Sequence, residues 1–395
     1  MKILSVVATT VLFLAPATSA WTASAAADPP TVTGVTQGGA CGEGGSSNAT
    51  FDSNNHRVVV TPGGRTLAVY DPHGSGVDLA WKDPGEGWEE KSVFDNGPDE
   101  VSNDRPASIA LDGAGHAWVV WAGYNFSKIA PVKMRRLTNL DAADGPAVGP
   151  ALTVQSAGTG NAAVDIAFHD GRGHIVWLQR TGSTQYSLTT VSFTDLHNPT
   201  PALLDRTILH ESSVKQTTAT LVPTPAGMRA VGRVASLRLF RYDSSGWIRG
   251  SAKTSAPAKS RPSAVAFGGD VLAAWQSSSS PGAVKVARFS STGNSVSTSL
   301  STGDGYRQPS IAADGTNAWV TMVLTSGTSV VSRTFDGSSW GLDATLMTAA
   351  AGDGAFTWPN SLREVDGTLR FVVGQRCTQA KMLQRTGVLS FEQNL

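Results

Sequence analysis

Four cations stand at related points of this chain, each just ahead of an apolar run: Arg105 in Asp104-Arg105-Pro106, Lys215 before Thr217, Arg261 in Ser260-Arg261-Pro262, and Arg307 in Tyr306-Arg307-Gln308-Pro309. A guanidinium offers paired N–H donors that match the two oxygens of a carboxylate, so a set of them converging on one spot is an anion-binding centre. The competing reading pairs each cation with a local Asp or a backbone carbonyl at the start of its own strand. Tyr124 and Tyr306 lie in or beside loops of the same kind, and aromatic rings that stack on sugar faces suit a glycan-binding surface. Arg105, Tyr124, Lys215, Arg261, Tyr306 and Arg307 are therefore the candidate ligand-binding residues.

Catalytic chemistry is harder to read. Hydrolysis of a glycoside needs two carboxyl groups facing the sugar, and the acidic residues of the corresponding loops (Asp71, Asp99, Glu100, Asp104, Glu211, Asp304) are sparse, with no spacing that selects a pair. His73, Tyr124, His210 and Tyr306 are the loop residues able to act as base in a lyase. Gly337-Ser338-Ser339-Trp340-Gly341 matches the G-x-S-x-G pattern, but that nucleophile elbow turns from a strand into a helix and here a hairpin is expected. The chain has no H-E-x-x-H, no Cys/His cluster and no EF-hand loop, so neither a metal nor a cofactor is expected.

The elements that must position these residues repeat. Gly-centred turns at Gly63-Gly64, Asp112-Gly113, Asp170-Gly171, Ala226-Gly227, Gly268-Gly269, Asp314-Gly315 and Asp366-Gly367 recur every 42 to 58 residues. Each is preceded by one apolar strand and followed by another (RTLAVY, HAWVVW, GHIVWL, MRAVGR, VLAAW, NAWVTMV, LRFVV), then by two more polar strands. Short strands with this period and no helical pattern predict an all-β chain, a seven-bladed β-propeller of four-stranded antiparallel blades, with six blades as the alternative count. Units are expected to begin near Arg57, Pro106, Ala162, Thr217, Pro262, Pro309 and Asn360. Equivalent positions of a ring share one face around its axis, which is what would bring the cations together. Trp118, Trp121, Trp177, Trp275 and Trp319 fall on second strands, where blades pack, and are expected to be buried.

Between third and fourth strands lie Asp83-Pro84-Gly85-Glu86-Gly87-Trp88, Asp243-Ser244-Ser245-Gly246-Trp247 and Asp336-Gly337-Ser338-Ser339-Trp340. These turns resemble degenerate Asp boxes, the S-x-D-x-G-x-x-W turns of sialidase-like propellers, and the resemblance extends over the mature chain. It implies that the boxes are scaffold and sit away from the active face. Tyr306-Arg307-Gln308-Pro309 is similar to the Y/F-R-I-P motif of that superfamily, whose Arg binds the substrate carboxylate. Here Gln308 replaces the Ile, the motif falls in the sixth repeat, and no residues match the superfamily's Tyr–Glu nucleophile pair or Asp acid/base.

The first residues predict export: a basic start at Lys2, an apolar run from Ile3 to Leu14, and small residues ending in Thr18-Ser19-Ala20 or Ala25-Ala26-Ala27. The expected organisation is a signal peptide over 1–27, a Gly/Ser-rich tail over 28–53, and one propeller domain over 54–395. Thr31–Gln37 alternates like a strand and could add to the last blade. Lys plus Arg equals Asp plus Glu at 31 each, so no global field favours nucleic acid or an anionic membrane. No later segment is long and apolar enough to span a bilayer. The two cysteines, Cys41 and Cys377, are expected to pair in an oxidising compartment and clamp the seam of the ring. The closed loop of 377 − 41 = 336 residues would contribute roughly 4–5 kcal/mol in the chain-entropy picture. The expectation is a secreted, monomeric binding protein for a carbohydrate or other polar, anionic ligand on its axial face. The alternatives are a carbohydrate-active enzyme (glycosidase or lyase) on the same face and a scaffold for another protein.

Overall fold

The computed structural model describes residues 31–34, 57–70, 77–84, 86, 88–92, 107–122, 131–155, 161–204, 206–213, 218–258, 260–278, 283–303, 305–348, 356–363, 368–378 and 384–394. In 31–34, 356–394 and a few other strand-end residues the backbone alone is described. All regular elements among these residues are strands. β1 (Thr31–Gly34) comes first, followed by blade 1: β2 (Val58–Val60), β3 (Thr66–Tyr70), β4 (Asp78–Lys82) and β5 (Trp88–Ser92). Blade 2 holds β6 (Ala107–Leu111), β7 (Ala117–Ala122) and β8 (Val132–Thr138), with its fourth position split between β9 (Ala147–Val148) and β10 (Leu152–Gln155). Blade 3 is β11 (Asn161–His169), β12 (Arg172–Arg180), β13 (Tyr186–Phe193) and β14 (Thr207–Ser212). Blade 4 is β15 (Thr218–Thr224), β16 (Gly227–Val234), β17 (Ser236–Asp243) and β18 (Gly246–Pro257). Blade 5 is β19 (Ser263–Phe267), β20 (Asp270–Gln276), β21 (Val284–Phe289) and β22 (Val296–Ser301). Blade 6 is β23 (Tyr306–Ala313), β24 (Ala318–Leu324), β25 (Ser329–Phe335) and β26 (Ala344–Thr348). The C-terminal strands are β27 (Phe356–Arg363), β28 (Thr368–Thr378) and β29 (Gln384–Asn394).

Every pairing within a blade is antiparallel, and each of these six blades is made from strands consecutive in the chain. The last repeat is different. Its sheet runs β27-β28-β29-β1, so the outer strand comes from the other end of the chain, with Thr31 opposite Glu392 and Gly34 opposite Leu389. The expected count of seven four-stranded blades is corrected accordingly: six blades stand complete on their own strands, and the last repeat supplies three, its fourth position being filled by β1. An outermost strand exposes a row of unpaired N–H and C=O groups, and Thr31–Gly34 pairs with that row. The innermost strands touch in the order β2, β6, β11, β15, β19, β23, β27 and back to β2.

The apolar residues form separate cores between blades. In β7, Val119 and Trp121 join Leu67, Val69 and Leu79 of blade 1, whereas Trp118 and Val120 join Ile166, Ile175 and Phe193 of blade 3. Side chains alternate across a strand, so one buried on both faces must be apolar throughout, and that is why the second strands read as unbroken apolar runs. Trp118, Trp177 and Trp275 are fully buried, and Trp121 and Trp319 nearly so, as expected. The Asp170-Gly171 turn has φ of 48° and 68°, the left-handed pair that a tight hairpin requires. Gly145, also at positive φ, leaves no room for a Cβ, which would lie 2.6 Å from the Trp81 ring of the neighbouring blade.

The Asp–Trp turns behave as scaffold. The Asp336 carboxylate accepts the backbone N–H groups of Ser338 and Ser339, and Trp340 stacks on Phe335 with ring centroids 4.9 Å apart. Asp243 holds the Ser245 N–H in the same way, while Trp247 packs 5.4 Å from Tyr242. Asp83 departs from this pattern: its two oxygens pair with Nε and Nη2 of Arg65, each at 2.7 Å. Gly337–Gly341 is the turn between β25 and β26, so its G-x-S-x-G pattern is a hairpin.

Candidate functional site

Around the axis, one register position of the innermost strands is polar and fully buried: Ser108, Asp165, Thr220, Ser263 and Ser310. Each lies opposite the equivalent residue of its second strand: Val120, Val176, Val231, Ala274 and Thr321. Their bonds run from blade to blade. The Ser108 hydroxyl donates to Asp165 at 2.7 Å, and the second oxygen of Asp165 accepts the backbone N–H of Leu221 at 2.8 Å. Thr220 donates to the Pro262 carbonyl at 2.6 Å, and Ser263 accepts the Ile311 N–H at 3.0 Å. A buried polar atom without a partner costs about 1–3 kcal/mol, so these bonds fix how each blade sits on the next. In sequence these residues are the single polar side chain directly ahead of each apolar run, as in Ser108-Ile109, Asp165-Ile166 and Thr220-Leu221. That signal was present, but only the ring gives it meaning.

Arg261 belongs to this girdle. It is 2% exposed, and its guanidinium donates to the carbonyls of Ala219 (2.7 and 3.2 Å) and Val164 (3.0 Å) on the inner strands of blades 4 and 3. Arg261, expected from sequence as a ligand contact, thus places its Nε and Nη2 on backbone carbonyls, and by reaching across two blades it ties the ring together.

Arg307 is placed differently. The register of β23 against β24 shifts between Arg307 and Ser310, a bulge at which Gln308 takes φ +52°. Arg307 lies three residues before Ser310, whereas Arg261 lies two before the equivalent Ser263. One inserted residue re-aims the side chain. The Arg307 Nε is buried and has no hydrogen-bond partner among the described residues. Burial, unopposed by any carboxylate, lowers its pKa from the ordinary arginine value. A guanidinium cannot shed its charge at any physiological pH, so this one stays cationic where it is partly buried.

Tyr306, its neighbour, is occupied. Its hydroxyl donates to Asp343, which also accepts from Arg333, and the Arg333 guanidinium lies 5.6 Å from the Tyr306 ring centroid. The hydrogen bond to Asp343 is the main cause that raises the Tyr306 pKa, and Arg333 is raised by the same carboxylate. Burial works against ionised Asp343, but the bonds from Arg333 and Tyr306 outweigh it and lower its pKa. Arg105, Tyr124, Lys215 and Cys41 lie outside the described residues, and Cys377 is described only as backbone of β28. His210 and Glu211, read as loop residues, lie instead within β14. Among the described residues no group of three or more His, Cys, Asp or Glu side chains comes together as a metal site, and no helix is long and apolar enough to cross a membrane.

Fold and girdle define an all-β propeller of four-stranded antiparallel blades. No protein-family model matches the chain, and no curated protein matches it in sequence. Solved structures do share the fold. AofleA from Arthrobotrys oligospora is similar with a TM-score of 0.50 at 11% identity, over 77% of this chain and 89% of that one. A sialidase of Trypanosoma rangeli, solved in complex with sialic acid, is similar at 0.49 and 10% identity over 92% of this chain, which spans 57% of the sialidase chain. A Dyadobacter fermentans protein of unknown function is similar at 0.49 and 10% identity, over 93% and 99% of the two chains. At such identities the likeness is one of fold.

Proposed function

We propose that this chain is an exported β-propeller, its six complete blades and terminal sheet forming a ring of seven, that binds a carbohydrate or another polar, anionic ligand on its axial face. Arg307 carries the reading. A part-buried guanidinium at the head of an innermost strand, bonded to no described carboxylate, is a site prepared for an anion. The carbohydrate class draws its support from the resemblance of Tyr306-Arg307-Gln308-Pro309 to a carboxylate-binding motif. Binding, rather than turnover, is the reading adopted because no spacing among the acids Asp71, Asp99, Glu100, Asp104, Glu211 and Asp304 selects the carboxylate pair that glycoside hydrolysis needs.

The test is a glycan array spanning neutral, uronate-bearing and sialylated sugars, probed with the wild-type chain and with Arg307→Ala. Binding of carboxylated glycans that is lost in the variant supports the proposal. No bound sugar, or binding that Arg307→Ala leaves intact, refutes it. Release of reducing ends or of unsaturated products from the same sugars would replace it with the enzymatic reading. Export is checked separately, by recovering the chain from the culture medium with its N-terminus just after Ala20 or Ala27.

A further inference from the structure

The outer cleft between blades 3 and 4 holds a concentration of positive charge that the axial site does not use. Blade 4 carries Arg238 on β17 and Arg249 and Lys253 on β18, and blade 3 brings His210 on β14, an outer strand that packs against β18. Register puts them on facing surfaces. Lys253 lies directly opposite Arg238, and Arg249 directly opposite Phe240. Phe240 packs with Leu188 of blade 3, and His210 lies opposite Leu188. Directly opposed residues of an antiparallel pair share a face, so all four cationic or ionisable groups line the same cleft.

None of Arg238, Arg249, Lys253 or His210 makes a side-chain hydrogen bond or ion pair among the described residues. Arg238 and His210 are half-buried, Arg249 and Lys253 exposed. Like charges directly across a ladder destabilise a sheet, and among the described residues neither Arg238 nor Lys253 has an ion pair with a carboxylate to offset this. Burial first, and then Arg249, lowers the Arg238 pKa. Burial, Arg249 and Arg238 lower that of His210, against the pull of Glu211. Fold stability gains nothing from this arrangement; an occupant with several negative charges does.

We propose that the cleft between blades 3 and 4 is a second binding site, lined by His210, Arg238, Arg249 and Lys253, for a multiply charged sulfated glycan. The opposed pair Arg238–Lys253 with Arg249 further along the strands fits an extended chain of anionic groups better than a single ion. Phe240 on this face is 1% exposed, and the half-buried rings of Tyr242 and Trp247 beside it pack against each other and against His174, so their faces are taken up within the protein rather than laid out as a platform for stacked nucleic-acid bases.

The experiment is calorimetric titration of the full chain with a heparin-derived octasaccharide, with inorganic sulfate, an uncharged octasaccharide and a single-stranded oligonucleotide of matched charge as separate arms. The sulfated octasaccharide is expected to bind, to weaken steeply as salt rises, and to tighten as pH falls below the ordinary imidazole value, because His210 is held neutral in the free protein and a bound anion favours its protonated form. His210→Gln should remove that pH dependence while keeping the salt dependence. Lys253→Glu supplies the missing cross-strand partner for Arg238, so it should raise the melting temperature while weakening octasaccharide binding at least tenfold. Arg249→Ser, at an exposed position, should weaken binding with no change in melting temperature. Unaltered affinity in both Lys253→Glu and Arg249→Ser overturns the proposal, as does equal binding of inorganic sulfate or of the oligonucleotide.

Discussion

Blades 5 and 6 begin with nearly the same words, Ser260-Arg261-Pro262-Ser263 and Tyr306-Arg307-Gln308-Pro309-Ser310, and use their arginines in opposite ways. Arg261 is sunk among carbonyls of two other blades, three hydrogen bonds deep, and is part of the frame. Arg307 is lifted onto a bulge by one extra residue, and its buried Nε has no partner among the described residues. Residue type at an equivalent point of a repeat is therefore a poor guide to role; the register that leads up to it decides. His174 supplies a third outcome. It is 1% exposed beside Tyr242 and Trp247, and its Nδ1 likewise has no partner among the described residues. Burial, aided by the charges of Arg172 and His169, pushes its pKa down to about 3, so it meets desolvation by staying neutral. Arginine has no such escape.

The contrast can be broken most forcefully at Arg261. Arg261→Ala strands the carbonyls of Ala219 and Val164 in the interior and should cost about 3 kcal/mol in urea unfolding; a loss below about 1 kcal/mol would mean that the residue is not part of the frame. His174 should make stability depend on pH. Its folded pKa lies below the ordinary 6.5, so its contribution is complete above pH 6.5 and is lost as pH falls from there towards 3. The slope should be about 1.4 kcal/mol per pH unit, and His174→Phe should flatten it in denaturant titrations between those limits.

Arg307→Ala should move stability by no more than about 0.5 kcal/mol yet lower affinity for a carboxylated ligand at least tenfold. Deleting Gln308 leaves Tyr-Arg-Pro-Ser, the spacing of blade 5, and should abolish binding as completely as losing the arginine, because the side chain would then be aimed as Arg261 is. Binding that survives the deletion would show that the bulge does not set the role. The smallest effect is expected at Gln308→Gly, which relieves a left-handed backbone at φ +52° and should gain roughly 0.5 kcal/mol, a glycine's extra unfolded freedom offsetting part of the relief. Thermal denaturation is sensitive enough to see it.

Much of the frame was legible in the chain. The Gly turns, the two apolar strands flanking each, the buried tryptophans and the turn-holding roles of Asp243 and Asp336 all follow from local rules: alternation, positive φ, and a short carboxylate beside its own backbone. The strand at Thr31–Gly34 was legible too, because Thr31–Gln37 alternates as a strand does. The partner of Asp83 was not legible, because Arg65, directly ahead of β3, is eighteen residues away in sequence and no turn pattern reports it. The polar position running through Ser108, Asp165, Thr220, Ser263 and Ser310 was visible as a pattern without a purpose.

By itself, then, the sequence determined that this protein is a ring of antiparallel blades, since strand period and turn chemistry are properties of neighbours in the chain. Only the tertiary structure decided what its arginines are for. Whether a guanidinium meets a carbonyl, a carboxylate or nothing depends on register between strands and on which blade stands next to it. Arg261 found Ala219 and Val164, Arg65 found Asp83, and Arg307, raised by one residue, keeps its buried Nε without a partner among the described residues.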